Sequence, residues 1–82
     1  MTDPSDVYTY RDFVLDLERH FGCRREAAEG RRGLPSIVRQ LPDGQVRRVS
    51  LVARSIESEI PRFVRDAILR RSAIDPDEFD RP

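Results

Sequence analysis

Ser36-Ile37-Val38-Arg39-Gln40-Leu41-Pro42-Asp43-Gly44-Gln45-Val46-Arg47-Arg48-Val49-Ser50-Leu51-Val52-Ala53 is the stretch whose reading decides the fold. Two runs rich in β-branched residues, 36–41 and 46–53, flank Pro42-Asp43-Gly44. Proline presets φ, aspartate caps the turn with its side chain and glycine takes the positive φ. Between apolar runs this predicts a β-hairpin. In the second run Val49, Leu51 and Ala53 share one face, and Arg48, Ser50, Val52 and Arg54 share the other.

Upstream the signal weakens and then recovers. Gly30-Arg31-Arg32-Gly33-Leu34-Pro35 reads as a loop by its glycines and proline. Residues 23–29 read as a further strand, although Ala27, Ala28 and Glu29 taken alone favour a helix. Before them, Thr9 offers an N-cap, with Asp12 in the capping-box position. Tyr10, Phe13, Val14, Leu17 and Phe21 follow on one helical stripe. Gly22 suits the left-handed position that ends a helix. A helix over 9–21 is expected, preceded by a flexible tail at 1–7.

Downstream, Ile60, Phe63, Val64, Ala67 and Ile68 form a second apolar stripe, widened by Leu69 and Ile74. Pro61 suits the first helical turn. Arg62, Arg65, Arg70 and Arg71 line the polar side. Asp75-Pro76 is expected to stop this helix, leaving an acidic tail at 76–82 with Phe79 turned back. The order α-β-β-β-α predicts one α+β domain over 8–75. Its three-stranded antiparallel sheet carries both helices on one face, and the other face stays free.

Composition narrows the function classes. With 82 residues there is room for a single domain. One cysteine, Cys23, excludes a disulfide within the chain and fits a reducing compartment. One cysteine and one histidine fall short of the four ligands of a structural zinc site, and no cofactor is expected. The start is polar and acidic, unlike a signal peptide, and no apolar run approaches a bilayer's ~20 residues. The expectation is a cytoplasmic protein without a membrane partner.

The net charge is zero, but the charge is segregated. Residues 1–21 have two arginines against five acids, residues 22–54 eight against three, and residues 55–82 five against seven. The central block is therefore basic, and local charge steers a polyanion more than the total does. Lysine is absent. Arginine favours bidentate phosphate contacts. A GC-rich coding sequence explains that bias equally well, but it does not explain the clustering.

The order and spacing of these segments resemble the HicA family of toxin–antitoxin toxins, whose fold is similar to a double-stranded-RNA-binding domain. Tyr10-Arg11-Asp12-Phe13 and Leu17-Glu18-Arg19-His20-Phe21-Gly22 look like the family's opening helix. Leu41-Pro42-Asp43-Gly44-Gln45 with Arg48-Val49-Ser50-Leu51 looks like its hairpin. The run from Ile60 to Ile74 looks like its final helix, and Asp77-Glu78-Phe79 like a frequent ending. The resemblance spans about 9–79. It implies an mRNA interferase, an endoribonuclease acting on mRNA or structured RNA and held by a cognate antitoxin protein.

One departure bears on activity. The family carries Gly-Ser-His, or a close variant, between the first two strands, and that histidine is held to be catalytic. Aligned from the first helix, Arg32 takes its place. Aligned back from the hairpin, Pro35 or Ser36 does, and an insertion of about three residues reconciles the two. The sole histidine, His20, closes the first helix. Metal-free RNA cleavage needs a base for the 2′-hydroxyl and an acid for the leaving oxygen, and histidine titrates near neutrality. Arginine does not give up its proton, although it can stabilise the charge of the transition state. Losing acid–base help costs roughly 10²–10⁴ in rate. A weak or inactive interferase is expected, its catalytic group left unassigned between Arg32 and Ser36.

Each candidate has a plainer alternative. Arg24, Arg25, Arg31, Arg32, Arg39, Arg47 and Arg48, with Arg54, read as an RNA-binding face with salt-dependent phosphate contacts. The alternative is a solvated surface paired with Glu26, Glu29 and the acidic ends. Gly30–Gly33 reads as an anion cradle or a plain connection. His20 is better read as a helix-end residue favourable to the dipole than as a displaced base, and Cys23 as a buried strand residue. The competing class is a protein–protein module, binding an antitoxin or a second copy.

Overall fold

The first helix is fixed at its start by the side chains that flank it. In the computed structural model, which describes residues 7–26 and 34–80, α1 spans Tyr10–His20. Asp12 N–H donates to Thr9 Oγ1 at 3.2 Å, and Thr9 N–H donates to Asp12 Oδ2 at 3.0 Å. That is the reciprocal capping box the spacing predicts. Tyr10 and Arg11 N–H donate to the carbonyls of Ser58 and Ile56, so backbone and cap together satisfy the first turn. Tyr10, Phe13, Val14 and Leu17 are buried on one side. The helix stops at Phe21, and Gly22 takes φ +66°, as expected.

Three strands follow: β1 (Arg24–Glu26), β2 (Ser36–Gln40) and β3 (Val46–Ser50). They form one antiparallel sheet in the order β1-β2-β3. The β2–β3 turn is built as its residues dictate. Gly44 N–H donates to the Leu41 carbonyl at 2.9 Å, Leu41 N–H to the Gln45 carbonyl at 2.7 Å and Gln45 N–H to Asp43 Oδ1 at 2.9 Å. Gly44 has φ +92°, the left-handed residue of a three-residue hairpin loop. β3 ends at Ser50, short of the expected Ala53. Leu51 leaves the ladder but stays buried. The part of the expected first strand beyond Glu26, and the 1–6 tail, lie outside the described residues.

The second helix, α2, spans Arg62–Arg71 and departs from expectation in three ways. Pro61 stands one position earlier, as the N-cap in extended conformation. The helix is also rotated from the stripe read in the sequence. Ile68, Leu69 and Ser72 are buried, whereas Ala67 is exposed and Phe63 is 77% exposed. At about 100° per residue, Phe63 lies about 120–140° away from Ile68 and Leu69. A helix with five apolar residues spread this widely has two possible inner faces, and packing selects the one centred on Ile68 and Leu69.

The third departure is at the end. Helix α2 closes before Asp75-Pro76, in a Schellman arrangement. Ile74 N–H donates to the Leu69 carbonyl at 2.8 Å, Ala73 N–H donates to the Arg70 carbonyl at 3.1 Å, and Ala73 takes φ +61°. Leu69 and Ile74, the apolar pair of that motif, are both buried. Asp75 and Pro76 instead begin a short helix, α3 (Pro76–Asp80). Asp75 Oδ1 accepts from Asp77 N–H, and Pro76 fills the first helical position.

The acidic C-terminal stretch is therefore helical through Asp80, and Phe79 does turn back. Its ring meets Phe13 edge-on at 5.3 Å and stacks on Phe21 at 5.7 Å. The Arg65 guanidinium lies over the rings of Phe79 and Tyr8. The architecture is α+β as expected, with α1 and α2 supplying one core against one side of the sheet through Ile37 and Val49. No helix among the described residues is long and apolar enough to cross a membrane.

Candidate nucleic-acid interface

Strand register sorts the central arginines onto two faces, because residues paired directly across a ladder share a side. Arg25, Ile37 and Val49 pair in one row and Arg39 with Arg47 in the next. Ile37 and Val49 belong to the core, so this is the face that carries the helices. Arg24, Val38 and Arg48 form a row on the opposite face, beside Glu26, Ser36 and Ser50. Val38 is only 1% exposed there.

On this outer face Arg48 is held by Glu26. Its Nε and Nη2 donate to the two carboxylate oxygens at 3.0 and 3.2 Å. Both side chains are more than 40% exposed, so the pair is worth less than ~1 kcal/mol and exchanges readily. Arg24 is exposed and has no ion-pair partner among the described residues. This row is suited to hold phosphates, with Glu26 as the internal competitor for Arg48.

On the helix face two of the three arginines, Arg25 and Arg39, are already used. Arg25 Nη2 reaches Glu18 of α1 at 2.8 Å. Arg39 Nη1 donates to the carbonyls of Ser72 and Ala73 at 2.9 and 2.8 Å, closing the C-terminal end of α2. Arg47 is exposed and, among the described residues, reaches only Gln45 Oε1, at 3.4 Å. Arg31, Arg32 and the Gly30–Gly33 loop lie outside the described residues.

Ser36 opens β2 on the outer face, half-buried between Glu26 and Ser50. His20 ends α1 in the helix layer, and is exposed. Cys23 is buried, and burial pushes its thiol pKa up, against thiolate chemistry. Among the described residues no cluster of histidine, cysteine and carboxylates could hold a metal ion.

The sequence reading placed Arg70 and Arg71 on the polar side of α2 but could not show that they are unpaired, and it missed the exposure of Phe63. Arg70 and Arg71 are exposed in the last turn of α2 and form no ion pair among the described residues. Phe63 stands in solvent instead of in the core. Unneutralised charge can be read only once the pairs are known. Comparison of the chain with family models, with curated proteins and with solved structures finds no match.

Proposed function

We propose that this chain is an RNA-binding domain of the HicA-like, toxin–antitoxin kind, weak or inactive as an mRNA interferase. The observation that carries the reading is the outer row Arg24–Val38–Arg48, on the sheet face turned away from the helices and within the basic block 22–54. RNA phosphates take Arg24 directly and displace Glu26 from Arg48. Shape and 2′-hydroxyl contacts suit an A-form helix better than base readout from such a face. The family name and the antitoxin partner rest on the residue resemblance, and the expected cytoplasmic location on the lone Cys23 and the polar, acidic start.

Catalysis is expected to be impaired because Arg32 or Ser36 stands where the family has its histidine, and neither is a base near neutral pH. The test is growth and transcript integrity after induced expression, wild type beside an Arg31→Ala/Arg32→Ala variant. Normal growth with intact RNA supports a binder. Arrest with shortened transcripts, lost in the variant, shows a working nuclease and refutes the impaired-catalysis part of the reading.

A second reading, a protein-binding module, draws on the free edge of β3. Val46 is 55% exposed there and Val52, just beyond the strand, 81% exposed. An extended partner segment adds to such an edge through backbone hydrogen bonds. Arg47 and Arg48 disfavour pairing with a second copy of β3, so an acidic partner strand fits better. Capture of an acidic extended peptide by the wild type, with no RNA binding at low salt, would favour this reading.

A further inference from the structure

Packing leaves an aromatic ring on the outside of α2. Phe63 is 77% exposed. Ala67 and Arg70 are exposed too, about 40° and about 20° around the helix from it, so the three form one outward stripe about 10 Å long. Charge is graded along that stripe. At the N-terminal end Glu59 is exposed just ahead of the helix, and Asp66 lies about 60° around from the ring. At the C-terminal end Arg70 and Arg71 are exposed. Glu59, Arg70 and Arg71 have no ion-pair partner among the described residues, and Asp66 only approaches Arg62, at 4.0 Å.

This grading selects what can cover the ring. A polyanion would meet Glu59 and Asp66, in a segment, 55–82, where seven acids outnumber five arginines. A wholly acidic protein face would meet the same acids, and a wholly basic one would meet Arg70 and Arg71. A second copy of α2, laid antiparallel, avoids both conflicts, because its basic end falls on the acidic end of the first. With the two-fold axis between Asp66 and Ala67, Phe63 of each copy stands opposite Arg70 of the other. An isologous contact needs a patch that is its own complement in this way. Aromatic residues and arginine are enriched in interface cores, and a guanidinium over a ring is attracted to it. Ala67, beside the axis, is small enough to let the helices approach, and their dipoles oppose one another favourably. The two Asp66 carboxylates are the one like-charge meeting near the axis, and Arg62 offsets it. The chain as a whole is neutral, so two copies carry no net repulsion.

We infer that the outward face of α2 is a self-association surface. It joins two copies antiparallel through Phe63 and Arg70, with Glu59 and Asp66 of each facing the C-terminal arginines of the other. Helix α2 has ten residues and is about 15 Å long. The contact is therefore small, and the dimer is weak and concentration-dependent. The helices cover one side of the sheet, so this dimer leaves the outer row Arg24–Val38–Arg48 open on both copies. The inference stands whether or not that row binds RNA.

The test is sedimentation equilibrium from about 10 μM to about 1 mM protein. Wild type should dimerise across that range. Phe63→Ala, Arg70→Glu/Arg71→Glu and Glu59→Arg/Asp66→Arg should each weaken the dimer at least about ten-fold. Phe63 is largely solvated, so its removal keeps the fold, and circular dichroism checks all three variants. An equimolar mixture of the two charge variants should associate more tightly than either alone, since one then presents acids and the other arginines along the whole stripe. A wild type that stays monomeric to about 1 mM overturns the inference. A dimer as tight in Phe63→Ala as in wild type also overturns it, placing the contact elsewhere. A mixture no tighter than its components overturns it as well, because the antiparallel charge pairing would then be absent.

Discussion

Arg39 and Ser72 are 33 positions apart in sequence, yet the Arg39 guanidinium donates to the Ser72 carbonyl at 2.9 Å and to the Ala73 carbonyl at 2.8 Å. A strand residue counted among RNA-binding candidates thus closes the C-terminal end of α2. A cation there satisfies orphan carbonyls and opposes the negative end of the helix dipole. Arg39 and Arg47, neighbours across one ladder, therefore do different work.

Arg39→Ala should cost about 1–2 kcal/mol of stability, the range for charge-assisted bonds that are partly exposed. Arg47→Ala should leave stability within about 0.5 kcal/mol, as expected for an exposed residue. Urea unfolding of the two variants side by side checks the contrast. Equal losses would show that the helix-end contact carries little of the fold.

Ala73 sits at φ +61°, where a non-glycine residue pays a steric cost of about 1–2 kcal/mol. Ala73→Gly should therefore raise stability, by about 0.5–1 kcal/mol once glycine's greater unfolded-state entropy is set against it. Thermal unfolding measures this directly, and a lowered Tm would mean that α2 ends some other way.

Tyr8 Oη donates to Asp16 Oδ2 at 2.5 Å, and burial, with Asp16 adding to it, drives the phenol's pKa up. The sign follows from linkage. The unfolded phenol loses its proton near pH 10, and the folded one holds it beyond that. The contribution is thus complete below about pH 10 and is lost as pH rises toward the folded value. Unfolding free energy should fall between pH 10 and 11 in the wild type and fall less steeply in Tyr8→Phe. Equal slopes would show that Tyr8 titrates normally.

Glu26 pairs with Arg48, and on the proposed RNA-binding reading it is the competitor that phosphates must displace. Glu26→Gln should tighten RNA binding severalfold at low salt, with stability changed by less than ~1 kcal/mol. Fluorescence anisotropy checks it; weaker binding would place RNA away from the outer sheet face.

What could be read in the sequence was local. Thr9 and Asp12 announce the start of α1 because a capping box needs only three residues' spacing. Pro42-Asp43-Gly44 announces its turn for the same reason. What escaped was settled across the fold. The rotation of α2 depends on whether Leu69 or Phe63 meets the sheet, and both are apolar. Its termination at Ala73 gave no warning, because alanine is not the residue that left-handed position favours. Counting arginines located the basic block, but it did not show that Glu18 holds Arg25, that Glu26 holds Arg48, or that Arg39 serves a helix end.

The most direct test of the account is the affinity of wild-type protein for a structured RNA as a function of salt. Neutralising even three phosphates gives a log–log slope of about −2 to −3. The account predicts clear binding at low salt that falls along such a slope and weakens uniformly in Arg24→Ala/Arg48→Ala. No binding at low salt, or binding indifferent to salt and to those arginines, would contradict it.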